Sequence, residues 1–328
     1  MQILLKVAVF LQFISTFTIQ SQIYKDIFAH TFSVVARNPA TGEMAVGVQS
    51  HWFSVGTIVG WGKSGVGVVA TQSFVNPAYG PNGLQLMEAG TSAKEAMDNL
   101  IAQDEGREVR QIAMLDNQGN VHAFTGEKCI ASAGHFVGDN FSVQANMMLN
   151  DEVVPAMAKA YLKNTGLPLA ERVLATLKAA QEAGGDIRGQ QSAALIVVGG
   201  NKVSEPWKDK LVDLRVDDHK APIQELERLL RVHRAYDFMN KGDLAVEHGD
   251  MKKAMEAYAA AQKLFPENLE MKYWTAITMA NNGQLEGALP IFKEVFISDP
   301  NWRELTRRLP KVGLLNLSPE DLAKVLQP

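Results

Sequence analysis

From Thr31 to about Asp213, short apolar runs alternate with turn residues, whereas beyond Ala221 the apolar positions recur at helical spacing. The first part therefore reads as strands with helical inserts and the second as helices alone. "TFSVVAR" (31–37) and "EMAVGVQS" (43–50) flank "NPATG", whose Pro39 and Gly42 supply turn chemistry, so a hairpin is predicted whose first strand opens on Thr31. "FSVGTIVGW" (53–61) and "VGVVATQSF" (66–74) are apolar enough for buried strands, and their glycines suit close backbone approach. A helix is expected from Ser92, where Glu95 completes a capping box, through Ala96, Met97, Leu100 and Ile101. Strands follow over 110–116, 121–126 and 141–149, then helices over 152–163 and 169–183 with Gly184 and Gly185 as the stop. Two more strands, 191–199 and 212–218, close this part.

Strands, helix, strands, two helices, strands is an order that suits an α+β fold of two stacked sheets covered by helices, a four-layer αββα sandwich over residues 31–220. A doubly wound sheet would alternate strand and helix throughout. Residues 221–328 predict an all-α domain. Gly249 and Gly283, Ala254 and Ala288, Tyr258 and Phe292, and Pro266 and Pro300 all lie 34 residues apart, with small Gly242 and Ala276 in the preceding helices. That is the register of the tetratricopeptide repeat, with the 222–239 helix and the tail from Leu305 expected to cap the stack.

Composition sharpens the picture. With 328 residues, 46% of them hydrophobic, the chain can bury more than one core, and a formal charge of -4 argues against nucleic acid or an anionic membrane as partner. Residues 1–22 place Lys6 before an apolar run from Val7 to Ile14, the pattern of a signal peptide, with a signal anchor as the alternative. The mature chain is thus expected to be exported, periplasmic or secreted, without a membrane span. Cys129 is the only cysteine, so no intramolecular disulfide is available. The seven histidines lack ligand spacing, so neither metal nor cofactor is expected. "GWGKSG" (60–65) fits a dinucleotide fingerprint in letters only, because a strand rather than a helix follows it.

Candidate chemistry lies in polar residues set into or beside apolar strands: Gln49, Ser50 and His51; Gln72 with Asn76; Gln144 with Asn146; and Arg188. Buried polar groups need partners, and converging strand ends can build a site.

"TFSVVARNPATGEMAVGVQS", "ATQSFVNPAYGPNGLQLM", "SVQANMM" and "AGGDIRGQQSAALIVV" together resemble the family known as domain of unknown function 1028, over about Thr31 to Arg234. The resemblance implies the N-terminal-nucleophile hydrolase superfamily, its αββα sandwich and the hydrolysis of amides. In such enzymes the first residue after processing supplies a hydroxyl nucleophile and its own α-amine as base, which points to Thr31. Many members resembling this chain begin methionine-threonine, whereas here thirty residues precede Thr31, so activity requires cleavage at His30-Thr31. Strand placement then offers Asn146 first and Asn76 second as oxyanion donors. Gln49, Ser50, His51, Gln72 and Gln144 are placed to orient the amine or bind substrate, and Arg188 to hold a carboxylate.

Two functions are carried forward. One is an exported amidohydrolase acting on a small amide, with repeats that dock a peptide or protein. The other is a non-catalytic binding module with the same repeats for partner recruitment. Homo-oligomerisation is compatible with either.

Overall fold

The computed structural model describes residues 27–327; the signal segment expected over 1–22 lies outside them. The chain divides into two compact units, one ending at Glu227 and one starting at Arg228. The first is mixed α/β with two antiparallel sheets, and the second is all-helical.

One sheet has the order β1-β5-β6-β7, with β4 also on β5; its strands are β1 (Ile27–Ala29), β4 (Gly60–Lys63), β5 (Gly67–Val75), β6 (Arg110–Asp116) and β7 (Val121–Thr125). The other runs β11-β10-β3-β2-β9-β8, from β2 (Thr31–Arg37), β3 (Met44–Ser50), β8 (Gly134–Gly138), β9 (Phe141–Ala145), β10 (Ser192–Val198) and β11 (Lys210–Val216). Val35, Val46, Val48 and Ile196 of the second sheet share one buried cluster with Val68, Ala70, Ala113 and Leu115 of the first, so the sheets pack face to face. Helices α1 (Tyr79–Glu88) and α2 (Ala93–Ala102) cover the outer face of the first sheet, where Leu84, Met87 and Met97 meet Val69, Ile112 and Met114. Helices α3 (Val153–Lys163) and α4 (Leu169–Glu182) cover the second, where Phe141 stacks on Tyr161 at 4.1 Å between ring centroids.

The predicted hairpin forms as β2 and β3, paired from Thr31↔Ser50 to Arg37↔Met44. The capping box at Ser92 and Glu95 starts α2. Other elements differ from the sequence reading. Residues 53–59 are not strand: Ser54 is left-handed (φ 54) and Val55–Thr57 forms one 3-10 turn, its Val55 N–H donating to Ser192 Oγ at 3.0 Å. The strand expected over 141–149 stops at Ala145, because Met147 takes φ 59 and breaks the ladder. Helix α1 arises from a segment rich in glycine and proline; Gly80 is required there because a Cβ would stand 2.3 Å from the Trp61 ring, so packing overrides a weak propensity. Strand β8, at the sheet's edge and bounded by glycines, has no clear alternation to reveal it.

The largest difference lies upstream of Thr31. Three residues, Ile27 to Ala29, already form a strand, paired antiparallel with β5 as Ile27↔Val75, Phe28↔Phe74 and Ala29↔Ser73. The chain then passes to the other sheet through a single residue, His30.

In the all-helical unit, helix α5 (Pro222–Glu247) leads in across the boundary and α6 (Met251–Leu264), α7 (Leu269–Asn281), α8 (Leu285–Ser298), α9 (Asn301–Arg308) and α10 (Pro319–Leu326) follow. The period of 34 is structural: α6 and α8 start 34 residues apart, Gly249 and Gly283 have φ of 72 and 74, and Tyr258 and Phe292 are both buried. Among the described residues no helix is long and apolar enough to cross a membrane.

Candidate functional site

The backbone crossing at His30 puts the two peptide bonds of that residue, Ala29-His30 and His30-Thr31, between the two sheets. The side chains facing that gap at this end are polar: Thr31 and Ser33 of β2, Gln72 of β5, Gln111 of β6, and Ser142 and Gln144 of β9 are all fully buried. They satisfy one another. Ser142 Oγ donates to Gln144 Oε1 (3.0 Å), Gln144 Nε2 to Ser33 Oγ (2.6 Å), and Ser33 Oγ to Gln72 Oε1 (2.6 Å). Gln72 Nε2 donates to Gln111 Oε1 (2.6 Å) and to the Thr31 carbonyl (3.1 Å). Asn146 Nδ2 also donates to Gln111 Oε1 (2.8 Å), which leaves Asn146 Oδ1 as acceptor for the ring N–H at His30 Nδ1 (2.8 Å). A buried network closed in this way fixes its members.

The carbonyl of His30 has its own partners. Ser50 Oγ donates to it at 2.6 Å and Arg188 Nη2 at 2.9 Å. Arg188 is aimed by the buried Asp186 carboxylate, which takes Nε at 3.1 Å and Nη2 at 2.7 Å and also receives the His51 N–H at 3.1 Å. On the next residue, the Thr31 carbonyl accepts from Asn146 N–H (3.2 Å) and Gln72 Nε2, while Thr31 Oγ donates to the Ala29 carbonyl at 2.8 Å. The bond between residues 30 and 31 thus has donors on both flanking carbonyls. Burial, above all, lowers the His30 pKa; Arg188 lowers it further, and the Asn146 hydrogen bond and Asp186 only partly oppose this, so the ring is neutral at neutral pH.

Two strained residues stand beside this site. Ser73 follows Gln72 with φ 75 and Met147 follows Asn146 with φ 59, and left-handed backbone at a residue with a Cβ is retained only where the surroundings enforce it. At Ser73 the alternation of β5 shifts: Val68 and Ala70 face the opposite sheet, and beyond the kink it is Val75 that joins the same cluster.

Of the residues proposed from the sequence, Thr31, Asn146, Ser50, Gln72 and Arg188 meet at the His30-Thr31 bond, Gln144 joins through Ser33, and His51 touches Asp186. Gln49 does not: it points to the opposite face of β3 from Ser50, buried, and neither of its amide atoms is hydrogen-bonded among the described residues. Nor does Asn76, whose Oδ1 accepts from Ala78 N–H and which lines a separate 210 Å³ cavity with Tyr79 and Asp104. His30, Ser33, Gln111 and Asp186 were missed. Gln111 and Ser33 carried the signal that marked Gln72, a polar residue inside an apolar strand. Among the described residues no three His, Cys, Asp or Glu side chains cluster to hold a metal.

Comparison with known proteins agrees over the first unit. The chain resembles the crystal structure of a DUF1028-family protein from Silicibacter pomeroyi, with a TM-score of 0.55 and 31% identity, covering 62% of this chain and 88% of that one. No curated protein matches it. Residues 31–226 match the family of unknown function DUF1028, and the match begins at the threonine on which the site is built. The chain therefore belongs to the DUF1028 family.

Proposed function

We propose that this chain is the precursor of an amide hydrolase of the N-terminal-nucleophile type, with Thr31 as nucleophile. One observation carries the reading: the carbonyl oxygen before Thr31 receives a hydroxyl donor at 2.6 Å and a guanidinium donor at 2.9 Å, the arrangement that stabilises a tetrahedral oxyanion. In processing, Thr31 Oγ adds to the His30 carbonyl carbon, negative charge gathers on the oxygen held by Ser50 and Arg188, and the C–N bond breaks. The hydroxyl proton ends on the Thr31 nitrogen, leaving an ester at Oγ and a free α-amine; water then cleaves the ester, releasing a carboxylic acid and restoring the hydroxyl. The α-amine titrates near about 7.7–8.0, and the Arg188 cation one peptide unit away favours its neutral form, the form that accepts a proton. The layering of helix, sheet, sheet, helix supports this reading, as does the resemblance to the superfamily. The period of 34 in the helical unit supports a tetratricopeptide-like stack that recruits a peptide or protein. Export rests on the N-terminal pattern alone.

A second reading, a non-catalytic binding module, is favoured by one feature: Thr31 is fully buried and its hydroxyl is already bonded to Ala29. Intact-mass analysis of the full-length protein separates the two. The expected result is a chain beginning at Thr31 that hydrolyses an amide, and a Thr31→Ala chain that keeps its upstream residues and is inert. Retention of those residues in both, with equal hydrolysis, refutes the threonine mechanism.

A further inference from the structure

The segment before Thr31 occupies the place where an acyl donor must lie. In trans, the carbon attacked by Thr31 Oγ takes the position of the His30 carbonyl carbon, because the hydroxyl and the two donors on the oxygen are shared by both reactions. What leads up to that carbon here is extended backbone paired with β5 from Ile27↔Val75 to Ala29↔Ser73. Along that edge β4 reaches only from Gly67 to Ala70, and β6 holds the other edge from Gly67 to Ser73. With β1 gone, Ser73 and Val75 of β5 would lose the strand that pairs with them, an edge to which an extended chain can add, while the Phe74 carbonyl stays on Arg110 Nη1 at 2.7 Å.

The side chains of the segment show what the seat accepts. Ala29 is fully buried in the cluster between the sheets, so a small apolar residue fits there and a larger one would have to displace its packed neighbours. His30 is 2% exposed, its ring N–H on Asn146 Oδ1 and its edge at right angles to the Phe74 ring, 5.7 Å between centroids. Asn146 cannot exchange its oxygen for its nitrogen there without losing the bond to Gln111 Oε1, so the seat demands a donor and repels a carboxylate.

We infer that the site takes peptides: it cleaves the amide after an extended peptidyl segment that adds to β5 in place of β1, with a small residue followed by an acyl residue bearing a ring N–H, of which histidine is the pattern. This rests on the hydrolase reading above. In the reaction the C–N bond after the acyl residue breaks, Thr31 Oγ carries the peptidyl ester in between, the leaving amine takes the hydroxyl proton, and water supplies the oxygen of the new carboxylate. That carboxylate is left on Ser50 and Arg188, so the product acid should compete with substrate.

The test uses the full-length protein after it has processed itself, with acetyl-Ile-Phe-Ala-His p-nitroanilide as probe and acetyl-His p-nitroanilide as the short comparator. The longer donor should be turned over with kcat/KM at least about tenfold higher, the gain expected from one or two added backbone hydrogen bonds and a filled pocket. N-methylation along Ile-Phe-Ala should abolish that gain at alternate positions only, since every second N–H of a strand faces its neighbour. Replacing the terminal histidine by glutamate should cost about a hundredfold, as expected where a buried acceptor loses its donor. Equal turnover of the long and short donors would overturn the peptide inference while leaving an amidase. A chain that neither processes itself nor hydrolyses either anilide would overturn the hydrolase reading, and the inference with it.

Discussion

Arg188 and Ser50 act on one oxygen, and they differ in what their loss should do. Ser50→Ala removes a neutral donor at 2.6 Å and leaves the rest of the network whole, so processing at His30-Thr31 should slow by about 10²-fold with little loss of stability. Arg188→Lys keeps a charge but loses the planar fork that grips Asp186 while reaching the carbonyl, so it should be as slow as Arg188→Met; rates near wild type for the lysine variant would show that charge alone suffices. Both are read by mass spectrometry of the chain over time. His30 adds a pH dependence. Its folded pKa lies below the ordinary value near about 6.5, so between the two values the unfolded chain binds more protons. Stability is then fully present above about pH 6.5 and falls as pH drops through and below it. Burial likewise lowers His122 and His135, so the comparison must be internal. In a Thr31→Ala background, which keeps the upstream segment, adding His30→Gln should flatten the fall of the urea midpoint between about pH 7 and 5; an unchanged slope would show that His30 is not the group concerned.

At the scale of elements, the outer helices sit directly on the strands, and β3 shows how closely. Its Gly47 leaves no room for a side chain: a Cβ there would stand 2.4 Å from Val173 Cγ1 and 3.2 Å from Leu177 Cδ1, both on α4. Gly47→Ala should therefore destabilise the protein by about 1–3 kcal/mol through overpacking, and Gly47→Ala with Val173→Ala should recover part of that loss. Denaturant midpoints of the two variants check it, and a further loss in the double variant would mean that the strand, not the contact, is at fault. The hairpin carrying Gly47 was legible in the sequence because its apolar residues alternate around a turn with its own chemistry. So was α2, whose capping box is written in two residues. The polar residues in or beside the strands were legible as anomalies, and four of them, Ser50, Gln72, Asn146 and Arg188, fall at one bond, whereas Thr31 came from the family resemblance. What stayed hidden depends on partners far along the chain. β1 is three residues long and is a strand only because β5 offers an edge. Gln49 and Ser50 are neighbours in sequence, but successive side chains of a strand point to opposite faces, so only one can join the site. Asp186 matters through Arg188, and no spacing rule picks out a carboxylate whose task is to aim a cation.

On the scale of the whole molecule, each unit has buried clusters drawn from its own residues. The first has the cluster between its sheets and the one beneath α1 and α2, and the second has two clusters, around Tyr258 and around Phe292. The two aromatic residues hold equivalent places in the 34-residue period, yet they are anchored differently. Tyr258 donates its hydroxyl to Asp243 Oδ1 at 2.7 Å, whereas Phe292 is held by packing alone, 6.1 Å from the Tyr273 ring and 5.6 Å from that of Phe296. Phe292→Ala should thus leave a cavity costing about 3–5 kcal/mol, and Tyr258→Phe only the loss of a hydrogen bond to a charged group, about 1.5–3 kcal/mol. Since the Phe292 cluster draws on nothing before Tyr273, the cost should fall on the helical unit. Calorimetry of the full chain should show two transitions, of which Phe292→Ala lowers one and leaves the other in place, with processing at Thr31 unchanged in rate. A single transition that moves as a whole, or a chain that no longer processes, would mean that the helices support the first unit, because a defect confined to their own core would then have reached the bond between residues 30 and 31.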